Sequence, residues 1–168
     1  ANSIGLIPVG TSGSVSVVKD GPGLWQLTAS STFAGGFTVK NGTILATVSA
    51  DDPGFPGAFG TGVVTVGDSA VGATGTAALL AAAGKTIYAL TVASGGGTQK
   101  VLLGGGNTSG TSFFATSRDI ALGRAVTLVS SGSGVTQFDN NWKGAGGAGV
   151  PTVDVSIGAE GYLGTVRL

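Results

Sequence analysis

The chain has 168 residues, of which 33 are glycine. Eight Lys or Arg balance eight Asp or Glu, and His, Cys and Met are absent. Catalysis near neutral pH draws mostly on imidazole, thiolate or clustered carboxylates, so two of the three usual resources are missing. A net charge of zero excludes the basic footprint of a nucleic-acid binder, and no cationic amphipathic stretch or 18-residue apolar run suggests a membrane. The apolar fraction of 42% also argues against disorder. With a mean hydropathy of +0.43 and little surface charge to keep copies apart, the composition predicts a subunit partly buried in an assembly.

In chain order, alternating or β-branched runs predict strands at 14–18, 38–40, 63–66, 87–92, 100–103, 112–115, 125–129, 153–157 and 162–167. Residues 76–83 read as a further strand rather than two helical turns closed by Gly84. Asn41-Gly42 between Phe37–Lys40 and Thr43–Ala46 predicts a two-residue type I′ hairpin, with Phe37, Val39, Ile44 and Ala46 on one apolar face. Residues 51–57, rich in Asp, Pro and Gly, read as an exposed loop. Composition shifts near residue 72, which predicts an N-terminal β region over 1–72 and a C-terminal sandwich over 73–168, able to pack as one domain. The fold class expected is all-β, an antiparallel β-sandwich or jelly roll with little or no helix. A parallel β-helix in the N-terminal part is the alternative.

No motif assigns catalytic, cofactor-binding or metal-binding residues, and no cofactor is expected. Gly144 through Gly149 fits G-x-G-x-x-G, but Pro151 and a strand follow where a phosphate-binding helix should begin. Asp139-Asn140-Asn141 and Asp51-Asp52 lack the spacing of a calcium loop and read as turns. Asn41-Gly42-Thr43 and Asn107-Thr108-Ser109 match the N-glycosylation acceptor. The residues singled out are the turn pair Asn41 and Gly42, and the aromatics Phe55, Phe59 and Trp142 as interface anchors.

Two resemblances add to this reading. The segments 84–92, 99–104, 107–111 and 125–128 resemble the small β-sandwich proteins that decorate bacteriophage capsids, over about residues 73–168. The segments 21–28, 33–44 and 59–66 are similar to the autotransporter-associated β-strand repeat, which implies a parallel β-helix on a secreted passenger. The first implies a non-enzymatic virion accessory subunit that binds a major capsid or other virion protein and stabilises the lattice, as a homo-oligomer and preferably a trimer. The second implies an extracellular or cell-surface adhesin or scaffold. Both families are structural, surface-displayed and without cofactors, and the composition leads to no expectation of a nucleic-acid or membrane partner.

Overall fold

The structure is a computed structural model that describes residues 2–4, 14–49, 57–88, 90–114, 119–144 and 153–168, the first three by their backbone. Three sheets run side by side along one axis. The first holds seven strands in the order β1 (Asn2–Ile4), β3 (Leu24–Leu27), β5 (Gly42–Ala46), β7 (Thr76–Ala81), β10 (Lys100–Gly105), β13 (Val126–Ser130) and β16 (Val155–Ile157). The second holds β2 (Val17–Lys19), β4 (Phe37–Val39), β6 (Val64–Val66), β9 (Leu90–Val92), β12 (Asp119–Leu122) and β15 (Asn141–Gly144). The third holds β8 (Thr86–Ile87), β11 (Thr111–Phe114), β14 (Val135–Phe138) and β17 (Thr165–Arg167).

Every pairing between these strands is parallel. Antiparallel hairpins cannot generate that pattern, because parallel neighbours need a crossover between them. Here the crossover is a full turn of the chain through the other sheets. The antiparallel sandwich expected from sequence is therefore wrong, and the architecture fits a parallel β-helix along the whole described chain. The hairpin goes with it. Phe37–Val39 pairs with β2 and β6, whereas Gly42–Ala46 pairs with β3 and β7, so Asn41-Gly42 is a corner between two sheets. Gly42 does adopt positive φ, 81°, but no residue other than glycine does among the described residues, as a type I′ turn would require of Asn41. The predicted strand 87–92 is likewise two strands in two sheets, β8 and β9, with a corner at Tyr88.

Side chains of one rung stack on the next. Trp25, Ile44, Leu79, Leu103, Leu128 and Ile157 form one file along the first sheet, buried from Ile44 to Leu128, half-buried at Trp25 and exposed at Ile157. The same alternation fills the other walls. Phe37, Val39, Val64, Val66, Leu90, Val92, Ile120 and Leu122 are buried on the second sheet, and Ile87, Phe114 and Phe138 on the third. A satellite cluster of Ala78, Leu80, Leu102 and Val129 lies on the outer face of the first sheet, packed by Leu45, Ala159 and Tyr162. Direct pairing crosses residue 72 in both long sheets, β5 with β7 and β6 with β9.

Candidate functional site

The chain passes from the second sheet to the first through short corners, and the long polar side chains collect there. Lys19 ends β2 on an inward position, in register with Val39 and hence above an apolar file. It has no exposed surface. Its Nζ donates to the carbonyls of Gly21 and Asn41, the latter at 2.8 Å, and lies 5.5 Å from the centre of the Trp25 ring. Carbonyl dipoles and a π face satisfy the ammonium without a carboxylate partner in contact. Burial holds its pKa below the ordinary lysine value, and the charge of neighbouring Asp20 opposes that shift.

Further along the corner, Gln99 is buried between turns. Its Nε2 donates to Lys40 O and its Oε1 accepts from Asp68 N–H, both at 2.7 Å. Arg124 reaches across from a later turn, donating to Ala93 O at 2.8 Å, to Gln99 Oε1 at 3.2 Å and to Asp68 O. Lys40 and Asp68 close the group as an ion pair at 3.5 Å. The result is a polar seam that ties successive turns together through main-chain carbonyls. Its members are amide, guanidinium, ammonium and one carboxylate, and their partners are mainly main-chain carbonyls. Among the described residues no group of three or more His, Cys, Asp or Glu is placed to hold a metal ion.

The residues singled out from sequence fall in different places. Asn41 and Gly42 belong to the seam, Asn41 as the residue whose backbone carbonyl receives Lys19. Phe59 is 1% exposed and packs edge-on against Phe37 at 5.2 Å, inside its own core. Trp142 is half-buried on β15, with its ring 5.6 Å from Phe138. Phe55, Asp51-Asp52 and the motif glycines Gly146, Gly147 and Gly149 lie outside the described residues. Asn107 is committed to the turn, its Nδ2 donating to Ser109 O and Gly110 O and its Oδ1 accepting from Ser112. Asp139 accepts from Gln137, and Asn140 donates to Tyr88 O, so this triplet serves turns.

Lys19, Gln99 and Arg124 were not legible as a set. Their one local signal is a lone long polar side chain at or near a strand boundary, Lys19 at the end of β2, Gln99 just before β10 and Arg124 between β12 and β13. Surface hollows lie among the described residues, two of them beside the second sheet and the seam. One, about 190 Å³, lies against the outer side of the second sheet between Val63, Thr91 and Ala121. The other, about 330 Å³, opens at the seam between Pro22, Asn41, Gly42, Thr43, Gly75 and Thr76. The chain matches no protein-family model, no curated protein and no solved structure.

Proposed function

We propose that this chain is a non-enzymatic structural segment displayed outside the cell, a rigid β-helical scaffold or spacer of the kind the autotransporter-associated repeat implies. The observation that carries this reading is the unbroken parallel ladder of seven strands in the first sheet. At about 4.8 Å per rung such a wall is about 30 Å long, and it lengthens by adding turns without redesigning the core. Its interior is filled by aliphatic, aromatic and hydroxyl side chains, and its polar network is spent on holding turns together. The virion reading drew on the sandwich resemblance over residues 73–168. Those residues build β-helix turns here, so the display reading moves ahead of it.

The test is where the protein sits. Antibody against the chain, applied to intact source cells with and without external protease, should label the surface and lose its signal after digestion. Co-sedimentation with phage particles at fixed stoichiometry, with a trimeric mass by light scattering, would overturn display in favour of the virion subunit. Robust turnover in a glycosidase and esterase panel would overturn the non-enzymatic reading.

A further inference from the structure

The seam corner carries chemistry that bracing does not use. Asn41 is followed by Gly42, the residue that least hinders its own backbone nitrogen. Gly42 N–H donates to Asn41 Oδ1 at 2.8 Å, so the carboxamide is already folded back over the peptide that follows it. The carboxamide lies beside Gly75, where a Cβ, were there one, would come 3.0 Å from Asn41 Oδ1. The carbonyl of that same peptide, Asn41 O, accepts from the buried Lys19 ammonium at 2.8 Å. The hollow lined by Asn41, Gly42, Thr43, Gly75 and Thr76 opens the site to water.

We propose that Asn41–Gly42 is a self-modification site, at which Asn41 cyclises to a succinimide and hydrolyses to aspartyl and isoaspartyl products, promoted by Lys19. Hydroxide removes the Gly42 N–H proton, and the negative charge that develops spreads onto Asn41 O, where the ammonium stabilises it as a fixed donor stabilises an oxyanion. The Gly42 nitrogen attacks Asn41 Cγ, the new C–N bond closes the ring, and the Cγ–Nδ2 bond breaks with ammonia leaving. Water from the hollow then opens the ring. Addition at Cγ gives aspartate, and addition at the main-chain carbonyl gives the isoaspartyl link. Because Lys19 polarises the main-chain carbonyl, the isoaspartyl product is enriched. The net reaction consumes one water, releases one ammonia and changes no oxidation state. It leaves one new negative charge at the corner.

Holding the carboxamide near its nucleophile lowers the entropic part of the barrier, which an unfolded chain meets in full. The experiment incubates the full chain in mildly alkaline buffer, folded and in urea. It then maps Asn41 by peptide mass spectrometry and enzymatic isoaspartate methylation, with Asn107, Asn140 and Asn141 as internal references. Asn41 conversion on the order of tenfold faster in the folded chain than in urea is expected, well below the effect of an optimised oxyanion site. Slower conversion in the folded chain overturns the proposal. Lys19→Met, checked for native circular dichroism, should lose that acceleration and lower the ratio of isoaspartyl to aspartyl product. A native Lys19→Met with unchanged rate and ratio removes Lys19 from the mechanism. If that variant does not fold, the comparison of parent chain with and without urea still decides.

Discussion

The two halves of the helix close the same cross-section by different means. From β8 onward the third wall is a sheet, and its inward residues continue the ladder, with Phe114 stacked on Phe138 at 4.5 Å and 22°. Before β8 no third-sheet strand occurs among the described residues, and two loop aromatics plug the gap. Phe33 and Phe59 are buried and flank Phe37 at 6.2 and 5.2 Å. Two loop-to-loop ties, Ser31 N–H to Gly57 O at 2.8 Å and Thr61 N–H to Phe33 O at 2.9 Å, stand where a ladder would be. A β-helix therefore does not need three complete sheets. It needs a filled interior, and a large aromatic on a loop replaces a wall of hydrogen-bonded strand.

The largest expected effect sharpens this contrast. Phe114→Ala should cost about 3–5 kcal/mol, because the stacked sheets around the vacated ring are fixed by pairing on both sides and cannot collapse into it. Phe59→Ala removes the same side chain beneath a loop that can relax, so it should fall at the low end of that range. Urea unfolding followed by circular dichroism gives both values. Equal losses would mean that the loop wall is as rigid as the sheet wall.

Glycine substitutions come next. Gly42→Ala should cost about 3 kcal/mol, the upper end for a strained position, since φ is 81° and a Cβ would lie 2.3 Å from Gly21 O and 2.6 Å from Gly23 O. Those atoms are backbone and cannot step aside. Gly84, at φ 69°, meets nothing within 4 Å, so Gly84→Ala should cost only the left-handed strain, about 1 kcal/mol. Matching melting temperatures for the two variants would show that crowding at the seam corner is absorbed.

These same positions show what could and could not be read from the sequence. Alternation at 37–46 and 63–66 marks strands correctly, because a period of two depends only on one face being buried. It carries no information on parallel against antiparallel pairing. A two-residue corner between sheets and a two-residue hairpin both want Asn-Gly, and only the long-range partner separates them. A solenoid should announce itself by a fixed period. Here Trp25 to Ile44 is 19 residues, Ile44 to Leu79 is 35 and Leu79 to Leu103 is 24, because loops of different length leave the helix between rungs. The repeated unit that survives is local, a short strand, a corner and a second strand. It occurs at 17–27, 37–46 and 119–130. The seam has no local signature, because its bonded members are 22 to 59 residues apart and meet only when turns stack.

A smaller effect separates the halves by pH. Burial lowers the pKa of Lys19 below 10.5, so the unfolded chain binds more protons there in the interval between the folded value and 10.5. Stability contributed by this group rises with pH through that interval. Burial raises the pKa of Tyr162 above 10.0, so the folded chain holds its proton longer, and stability falls as pH climbs from 10.0 toward the raised value. Denaturant midpoints measured against pH should show less of the rise in Lys19→Met and less of the fall in Tyr162→Phe. Superimposable profiles for parent and both variants would refute these assignments.

The smallest effect belongs to the ion pair between Lys143 and Asp119, on neighbouring strands of the second sheet. The two side chains are 64% and 36% exposed. Water screens their attraction, and fixing a long lysine side chain costs entropy, so Lys143→Ala should change stability by no more than about 0.5 kcal/mol. The contrast with the seam is one of solvation rather than of charge. Lys19, which has no exposed surface, and the part-buried Arg124 donate mainly to backbone carbonyls, whereas Lys143 exchanges one solvated partner for another. Adding salt should therefore erase most of any loss seen in Lys143→Ala while leaving that of Arg124→Ala largely in place. A Lys143→Ala penalty that persisted in molar salt would show that solvent does not screen this pair.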